Sequence, residues 1–346
     1  MHESLNDNKQ IRSRALLERR GANVPKNPKV SVIVPAYKVA GLISDTLDSI
    51  FSQTGVEIEV ILVNDGSPDT EDLEKAISGF SDRLVYLEQE NMGAPGARNL
   101  ALSFARGEFI AFLDGDDIWN PGYLESQLKK LTEDGLDLVY SNAEFIGDHY
   151  LSGATYMDQA PSNGSVNVES LIAGTCNAIT SGLVLRYKVL EKVGLFDHDA
   201  TPAEDFDLWL RIALAGFKLG YQREPRIKYR VSATGLSGTS LARSERAKMI
   251  LSLVRDKYEF NADQKSLLAS RIEEASAEIE IEKAKLSIVL HKYDDAKKHL
   301  ALANRYHGKR KFSLIAGMLG VFPGAVRILY KFSRPKEFDF IEANIG

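Results

Sequence analysis

The run Asp114-Gly115-Asp116-Asp117 directly follows the apolar stretch Phe109-Ile110-Ala111-Phe112-Leu113. Residues i and i+2 at the end of a strand project to the same side. Asp114 and Asp116 could therefore offer oxygens to one ligand. Such donors suit Mg²⁺ or Mn²⁺, and phosphate usually completes the shell. Gly115 would let the backbone approach that ligand closely. The same residues could also be only a solvated acidic turn.

Three further groups could take part. Asp65, in Asn64-Asp65-Gly66-Ser67, is either a turn residue or an acceptor for the imide of a nucleic base. Glu204-Asp205 opens an apolar, helix-spaced segment. There a carboxylate can interact with free backbone N–H groups, or it can act as a general base that takes the proton of an attacking hydroxyl. Arg98, at the start of another helical segment, could pair with a phosphate or a base edge, or be a surface charge.

These residues need elements that gather them. The β-branched run Val30-Ser31-Val32-Ile33-Val34-Pro35 predicts a buried strand, and 59–63, 84–87 and 109–113 read the same way. Helical spacing appears at 42–50, 70–78 and 97–105. Short strands alternating with helices predict an α/β fold with a mostly parallel, Rossmann-like sheet and helices on both faces. Such sheets bind ligands beyond the carboxyl ends of their strands. Those ends carry Pro35-Ala36-Tyr37, Asn64-Asp65-Gly66-Ser67 and Asp114-Gly115-Asp116. After about residue 136 the alternation loosens. Strands are expected near 138–140 and 180–185, a helix over 203–215, and a Gly/Ser/Thr-rich mobile loop over 232–240.

The composition fits a globular protein of 346 residues, with 44% hydrophobic and 26% charged residues. A net charge of −5 gives no global basic footprint for nucleic acid. A single cysteine, Cys176, rules out an intrachain disulfide and fits a reducing compartment. The first twenty residues lack the apolar core of a signal peptide, and no clean apolar run is long enough to span a bilayer. A cytoplasmic protein is expected, one that could sit at the inner face of the cell membrane.

Taken together, Val-Ser-Val-Ile-Val-Pro-Ala-Tyr (30–37), Leu-Val-Asn-Asp-Gly-Ser (62–67), Asn-Met-Gly-Ala-Pro-Gly-Ala-Arg-Asn (91–99), Phe-Leu-Asp-Gly-Asp-Asp (112–117) and Glu-Asp-Phe-Asp-Leu-Trp (204–209) resemble, in order, the motifs of the family 2 inverting glycosyltransferases with the GT-A fold. The resemblance covers about residues 29–240. It implies transfer of a sugar from a nucleoside diphosphate, commonly of uridine, to an acceptor hydroxyl with inversion, assisted by Mn²⁺ or Mg²⁺. Pro35, Ala36 and Tyr37 would border the nucleoside, Asp65 would bind the base, and Arg98 would lie near the nucleotide. Asp114 would approach the ribose and Asp116 would hold the metal. Asp205 would be the catalytic base, with Glu204 beside it orienting the acceptor. Many relatives carry a His in the loop after the catalytic helix. Here that loop has none, and Arg230 could contact the diphosphate instead. A glycan, lipid-linked or protein acceptor and a role in cell-surface polysaccharide or glycoconjugate synthesis are implied. A nucleotide-sugar-binding protein without transfer is the main rival, and the Glu204-Asp205 pair argues against it. A Gly-rich basic loop for nucleotidyl transfer and a Gly-x-Gly-x-x-Gly turn for dinucleotide binding are both absent after the first strand.

Residues 1–28 read as a polar lead-in and 241–346 as a helical region, broken into a hairpin near His291–Asp295. This region could also pair with a second copy of the chain. Between Arg305 and Lys336, Lys and Arg occur eight times and Asp or Glu never. The basic residues flank the mostly apolar 312–330. That pattern is expected either of peripheral docking on an anionic membrane or of a basic hairpin packed on the rest of the protein.

Overall fold

The computed structural model describes residues 3–4, 7–232 and 239–345. Most of the loop anticipated at 232–240 therefore lies outside the described residues. The chain divides into two compact units, one of residues 1–145 and 153–230, the other of 146–152 and 231–346.

The first unit is built on nine strands: β1 (Leu17–Arg20), β2 (Val30–Ala36), β3 (Ile58–Asp65), β4 (Leu84–Gln89), β5 (Phe109–Phe112), β6 (Ile118–Trp119), β7 (Leu138–Ile146), β8 (Leu183–Arg186) and β9 (Leu219–Arg230). Their order in the sheet is β1-β4-β3-β2-β5-β8-β7-β9-β6. The parallel pairs are β4/β3, β3/β2 and β2/β5. Antiparallel strands extend this parallel core on both sides. The α/β reading holds, and the sequence alternation marks its parallel part.

Successive side chains of a strand face opposite ways, and both faces here are apolar. Ile33, Ile61, Val63, Val85 and Phe112 join one core; Val32, Val34, Val60, Leu62 and Ala111 join the other. The second face is covered by α2 (Ile43–Phe51), α3 (Thr70–Ile77) and α5 (Tyr123–Glu133), whose Leu47, Leu73 and Tyr123 are buried there. The first face is covered by α1 (Asn8–Arg12), α4 (Gly93–Phe104), α8 (Tyr187–Val193) and α9 (Glu204–Leu214). The short α6 (Tyr156–Gln159) and α7 (Val168–Ala173) sit in the 147–182 connection.

The N-terminal segment is more than a lead-in. Strand β1 pairs with β4 at the sheet edge, and Ile11 of α1 is completely buried in the core. Arg12 donates to the Ser103 carbonyl. An all-exposed Leu-Glu-Arg-Arg strand carries no hydrophobic alternation, so sequence pattern does not announce it.

The second unit is helical: α10 (Ser240–Lys257), α11 (Ala262–Val289), α12 (Tyr293–His307), α13 (Arg310–Val321), α14 (Pro323–Ser333) and α15 (Pro335–Ile345). The hairpin break falls where the sequence placed it, and His291 there has φ +59°. Ala284, Ile288, Ala296, Leu300, Phe312, Leu319 and Val326 form its core.

Ile11→Ala is expected to lower the unfolding free energy by about 2–5 kcal/mol, the usual range for emptying a buried isoleucine site. Urea denaturation checks it. An unchanged midpoint would mean that the N-terminal segment is not part of the cooperative fold.

Candidate active site

The parallel strands β2, β3 and β5 end on one edge, and the residues anticipated at those ends lie there. Ala36 is paired with Asn64, one residue before Asp65. Gly115 lies against the end of β2: a Cβ there would come within 2.9 Å of the Pro35 carbonyl oxygen and 3.0 Å of Val39. The close approach foreseen for Gly115 is thus to its own chain. Tyr37, just beyond β2, is 43% exposed.

Arg98 joins the groups that sequence separates. It is only 4% exposed on α4. Its Nη2 donates to Asp114 Oδ1 at 2.7 Å, and its Nη1 donates to Asp205 Oδ1 at 3.0 Å. The guanidinium carbon lies 5.3 Å from the centre of the Phe196 ring. Burial alone would favour loss of its proton. Asp114 and Asp205 outweigh this, and the group is held more firmly charged than in water. The Thr180 hydroxyl donates to the other oxygen of Asp205. Both oxygens of the candidate base are therefore fixed in direction. Glu204 and Asp205 begin α9, where the helix dipole favours negative charge, and Glu204 adds to the field at Arg98.

The turn after β5 is crowded with like charge. Burial first, then the charge of Asp114, pushes the Asp116 carboxyl up to about 6. Its own backbone N–H and the Arg230 guanidinium pull the other way. Asp117, fully buried, is raised well above the ordinary range by burial and by Asp116 and Asp114. Asp117 has a structural task. It accepts bonds from the Ser181 hydroxyl and from the Arg230 backbone N–H at 2.7 Å. Arg230 Nε donates to the Asp116 carbonyl at 3.0 Å. The end of β9 is thereby pinned to the turn, and Thr46 holds it from beneath through the carbonyls of Gly115 and Asp117.

Asp65 is bonded elsewhere. Gln89 Nε2 and the Met92 backbone N–H both donate to its Oδ1, at 2.6 and 2.9 Å. The carboxylate ties the end of β3 to the start of α4, and it is 2% exposed. The sequence reading missed Asp117, Thr180, Ser181 and Tyr156. The Tyr156 hydroxyl is pushed up to about 12, by burial first and then by the charge of Asp205. Asp117 could have been noticed as the last acid of the run. The others carry no local signal. A groove of about 1250 Å³ along α5 and β9, lined in part by Ser126, Lys130, Tyr221 and Arg223, contains none of the predicted residues.

No cluster of three or more His, Cys, Asp or Glu among the described residues could cage a metal by itself. The set nevertheless fits a hard divalent cation. Asp116 stands beside Asp114 with its negative charge poorly compensated. A cation with so few protein ligands takes the remainder from phosphate and water, as Mg²⁺ and Mn²⁺ do.

Residues 31–194 match the model of glycosyl transferase family 2. An uncharacterised glycosyltransferase of Rickettsia prowazekii is 31% identical over 230 residues, which cover 63% of this chain and 69% of that protein. The Escherichia coli UDP-Glc:alpha-D-GlcNAc-diphosphoundecaprenol beta-1,3-glucosyltransferase WfgD is 30% identical over 223 residues, covering 63% of this chain and 83% of that one. A match to the glycosyltransferase GlyA of Streptococcus pneumoniae, at 33%, spans only 31% of that longer protein. Among solved structures, the mannosyltransferase PcManGT from Pyrobaculum calidifontis aligns with a TM-score of 0.60 at 20% identity, over 99% of this chain and 92% of that one. S. aureus TarS 1–349 aligns with a TM-score of 0.55 at 19% identity, over 91% and 90%. These two show a shared GT-A fold. The relatives and the shared fold place the chain among the glycosyltransferases. The chain belongs to glycosyl transferase family 2.

Two outcomes follow from the site. Arg98→Ala leaves two carboxylates without their shared counter-charge. It is expected to cost about 2–3 kcal/mol in chemical denaturation, below the 3–5 of a fully buried pair because both carboxylates are partly exposed. A loss under 1 kcal/mol would show that the bridge is not formed. Folding raises the Asp116 carboxyl, so the folded chain binds that proton more tightly than the unfolded chain does. This contribution to stability is present below about 4 and is lost as pH rises through about 6. In EDTA, Asp116→Asn should therefore gain in Tm over the wild type between pH 5 and 7.5. A constant gap would place the carboxyl in the ordinary range.

Proposed function

We propose that the chain is an inverting, metal-assisted glycosyltransferase that moves a sugar from a nucleoside diphosphate, most simply uridine diphosphate, to an acceptor hydroxyl. The observation that carries the reading is the Arg98 bridge between Asp114 and Asp205. It couples a carboxylate at the end of β5 to a carboxylate at the start of α9, with Asp116 alongside the first.

In this reading Pro35, Ala36 and Tyr37 border the nucleoside. Asp65, held by Gln89 and Met92, faces the base. Asp114 takes the ribose side and Asp116 binds the cation. Mn²⁺ or Mg²⁺, when bound, would neutralise charge that builds on the departing diphosphate. Arg230, fastened to the Asp116–Asp117 turn, adds a fixed positive charge on the same side. The acceptor oxygen attacks the anomeric carbon. The bond to the diphosphate oxygen breaks, and its electron pair leaves with the nucleotide. The proton passes to Asp205, whose direction Arg98 and Thr180 set, and Glu204 orients the acceptor. General-base help of this kind contributes about 10²–10⁴-fold. Attack opposite the leaving group inverts the configuration, and no covalent enzyme intermediate forms.

The relatives lend support to the donor and acceptor classes. The E. coli relative is named for UDP-glucose and a lipid diphosphate acceptor. TarS has been solved with UDP and with UDP-GlcNAc, and PcManGT with GDP-Man and Mn²⁺. We infer a glycan, lipid-linked or protein acceptor in cell-surface polysaccharide or glycoconjugate synthesis.

A thermal-shift screen of nucleoside diphosphate sugars with Mn²⁺, Mg²⁺ or EDTA tests the donor site. A shift with one uridine or guanosine diphosphate sugar that EDTA abolishes is expected; no shift with any nucleotide contradicts the reading. With that donor, Asp205→Asn should retain binding and lose transfer by about 10²-fold or more. Normal turnover would move the base elsewhere.

A further inference from the structure

The α13–α14 hairpin of the helical unit turns apolar residues outward. Phe312, Leu319 and Val326 face that unit's core. On the other side of α13, Leu314 and Val321 are 67% and 68% exposed. On α14, Ile328, Leu329 and Phe332 are exposed too, the last by 82%, and with exposed Ala325 they make one apolar stripe at helical spacing. Phe322, at the turn between the helices, is 66% exposed and joins the two faces. Scattered exposed apolar residues are normal, but a contiguous run of this kind marks an interaction surface.

Charge surrounds the stripe. Lys309, Arg310 and Lys311 are exposed at the start of α13, and no acid lies in its first turn. Cations at that end oppose the helix dipole, so the arrangement weakens the isolated helix and favours an anion from outside. The basic flank at the other end is partly neutralised: Lys331 pairs with Asp339, Arg334 with Glu337 and Arg327 with Glu342. Among the described residues no carboxylate pairs with the exposed Lys309, Arg310 or Lys311, so this cluster is the basic flank left for an anionic partner. A self-matched dimer through this face would repeat the same basic patch on both sides. An anionic partner does not meet that repulsion.

We propose that the α13–α14 hairpin docks on the surface of an anionic lipid bilayer, with Val321, Phe322, Ile328, Leu329 and Phe332 entering the acyl boundary and Lys309–Lys311 at the headgroups. The surface is interfacial. Among the described residues no helix is long and apolar enough to cross a membrane. The docking stands apart from the catalytic reading and would hold whatever the acceptor.

Flotation of the full chain with vesicles of phosphatidylcholine alone, or with one third phosphatidylglycerol, tests this. Retention on the anionic vesicles, reduced by high salt and weak on the neutral ones, is expected. Replacing Lys309, Arg310 and Lys311 together by Ala should lower the partition coefficient on the order of a hundred-fold, since each basic residue near such a surface contributes about five-fold. Phe322→Asp with Phe332→Asp should abolish retention while circular dichroism stays unchanged. No retention on anionic vesicles overturns the proposal. Equal retention by both variants also does so. So does a concentration-dependent dimer in sedimentation that the Asp variants dissociate while vesicles are ignored, because the occupant is then a second copy.

Discussion

A buried arginine must keep its charge, and that constraint organises the first unit. Arg98 sits inside the first core layer, where an unpaired guanidinium would be very costly. Asp114 and Asp205 satisfy it. The same two bonds fix where β5 ends and where α9 begins. A stable fold and the fixed spacing of Asp114 and Asp205 thus rest on one side chain. Ring contact with Phe196 and the hydrogen bonds between Asn99 and the Phe196 backbone hold the helix that carries it.

The turn after β5 gathers like charges that work against one another. Asp114, Asp116 and Asp117 crowd a small volume, and burial raises the latter two. Asp117 accepts hydrogen bonds from the Ser181 hydroxyl and the Arg230 backbone N–H, yet burial and the neighbouring carboxylates still hold it well above the ordinary range. Asp114 is answered by Arg98. Asp116 has only its own backbone N–H and the Arg230 guanidinium to set against burial and the charge of Asp114. In the proposed reading Asp116 would hold a divalent cation, whose charge would relieve that imbalance, and real proteins commonly carry such local conflicts at functional sites.

Much of this was legible in the sequence, for identifiable reasons. Buried parallel strands such as 30–36 and 58–65 read as apolar runs, and polar residues clustered at their ends. Asp114, Asp116, Asp205 and Glu204 were found because they stand where elements stop or start. Arg98 was found as a charge near a helix start, but its two partners lie 16 and 107 residues away, and no local pattern shows a burial of that kind. The start of α4 was read too late, since Gly93-Ala94-Pro95-Gly96 looks like a loop; a proline in the first turn lacks only an N–H that has no helical partner anyway. Strand β1 escaped notice because it is polar and exposed throughout, and β9 because it is polar, only partly buried and contains Pro225. Their pairing is decided by neighbours remote in sequence.

The central claim is that Arg98 makes the donor carboxylate and the acceptor base a single mechanical unit. A double-mutant cycle on transfer, with Arg98→Lys, Asp205→Asn and both together, tests it most directly. Lysine keeps the charge but lacks the planar fork that reaches two carboxylates at once. If Arg98 acts through Asp205, the double variant should be no slower than Asp205→Asn by more than about three-fold at saturating donor, the two losses failing to multiply. Losses that multiply in full would mean that Arg98 and Asp205 act independently, and the bridge would not be the basis of the site.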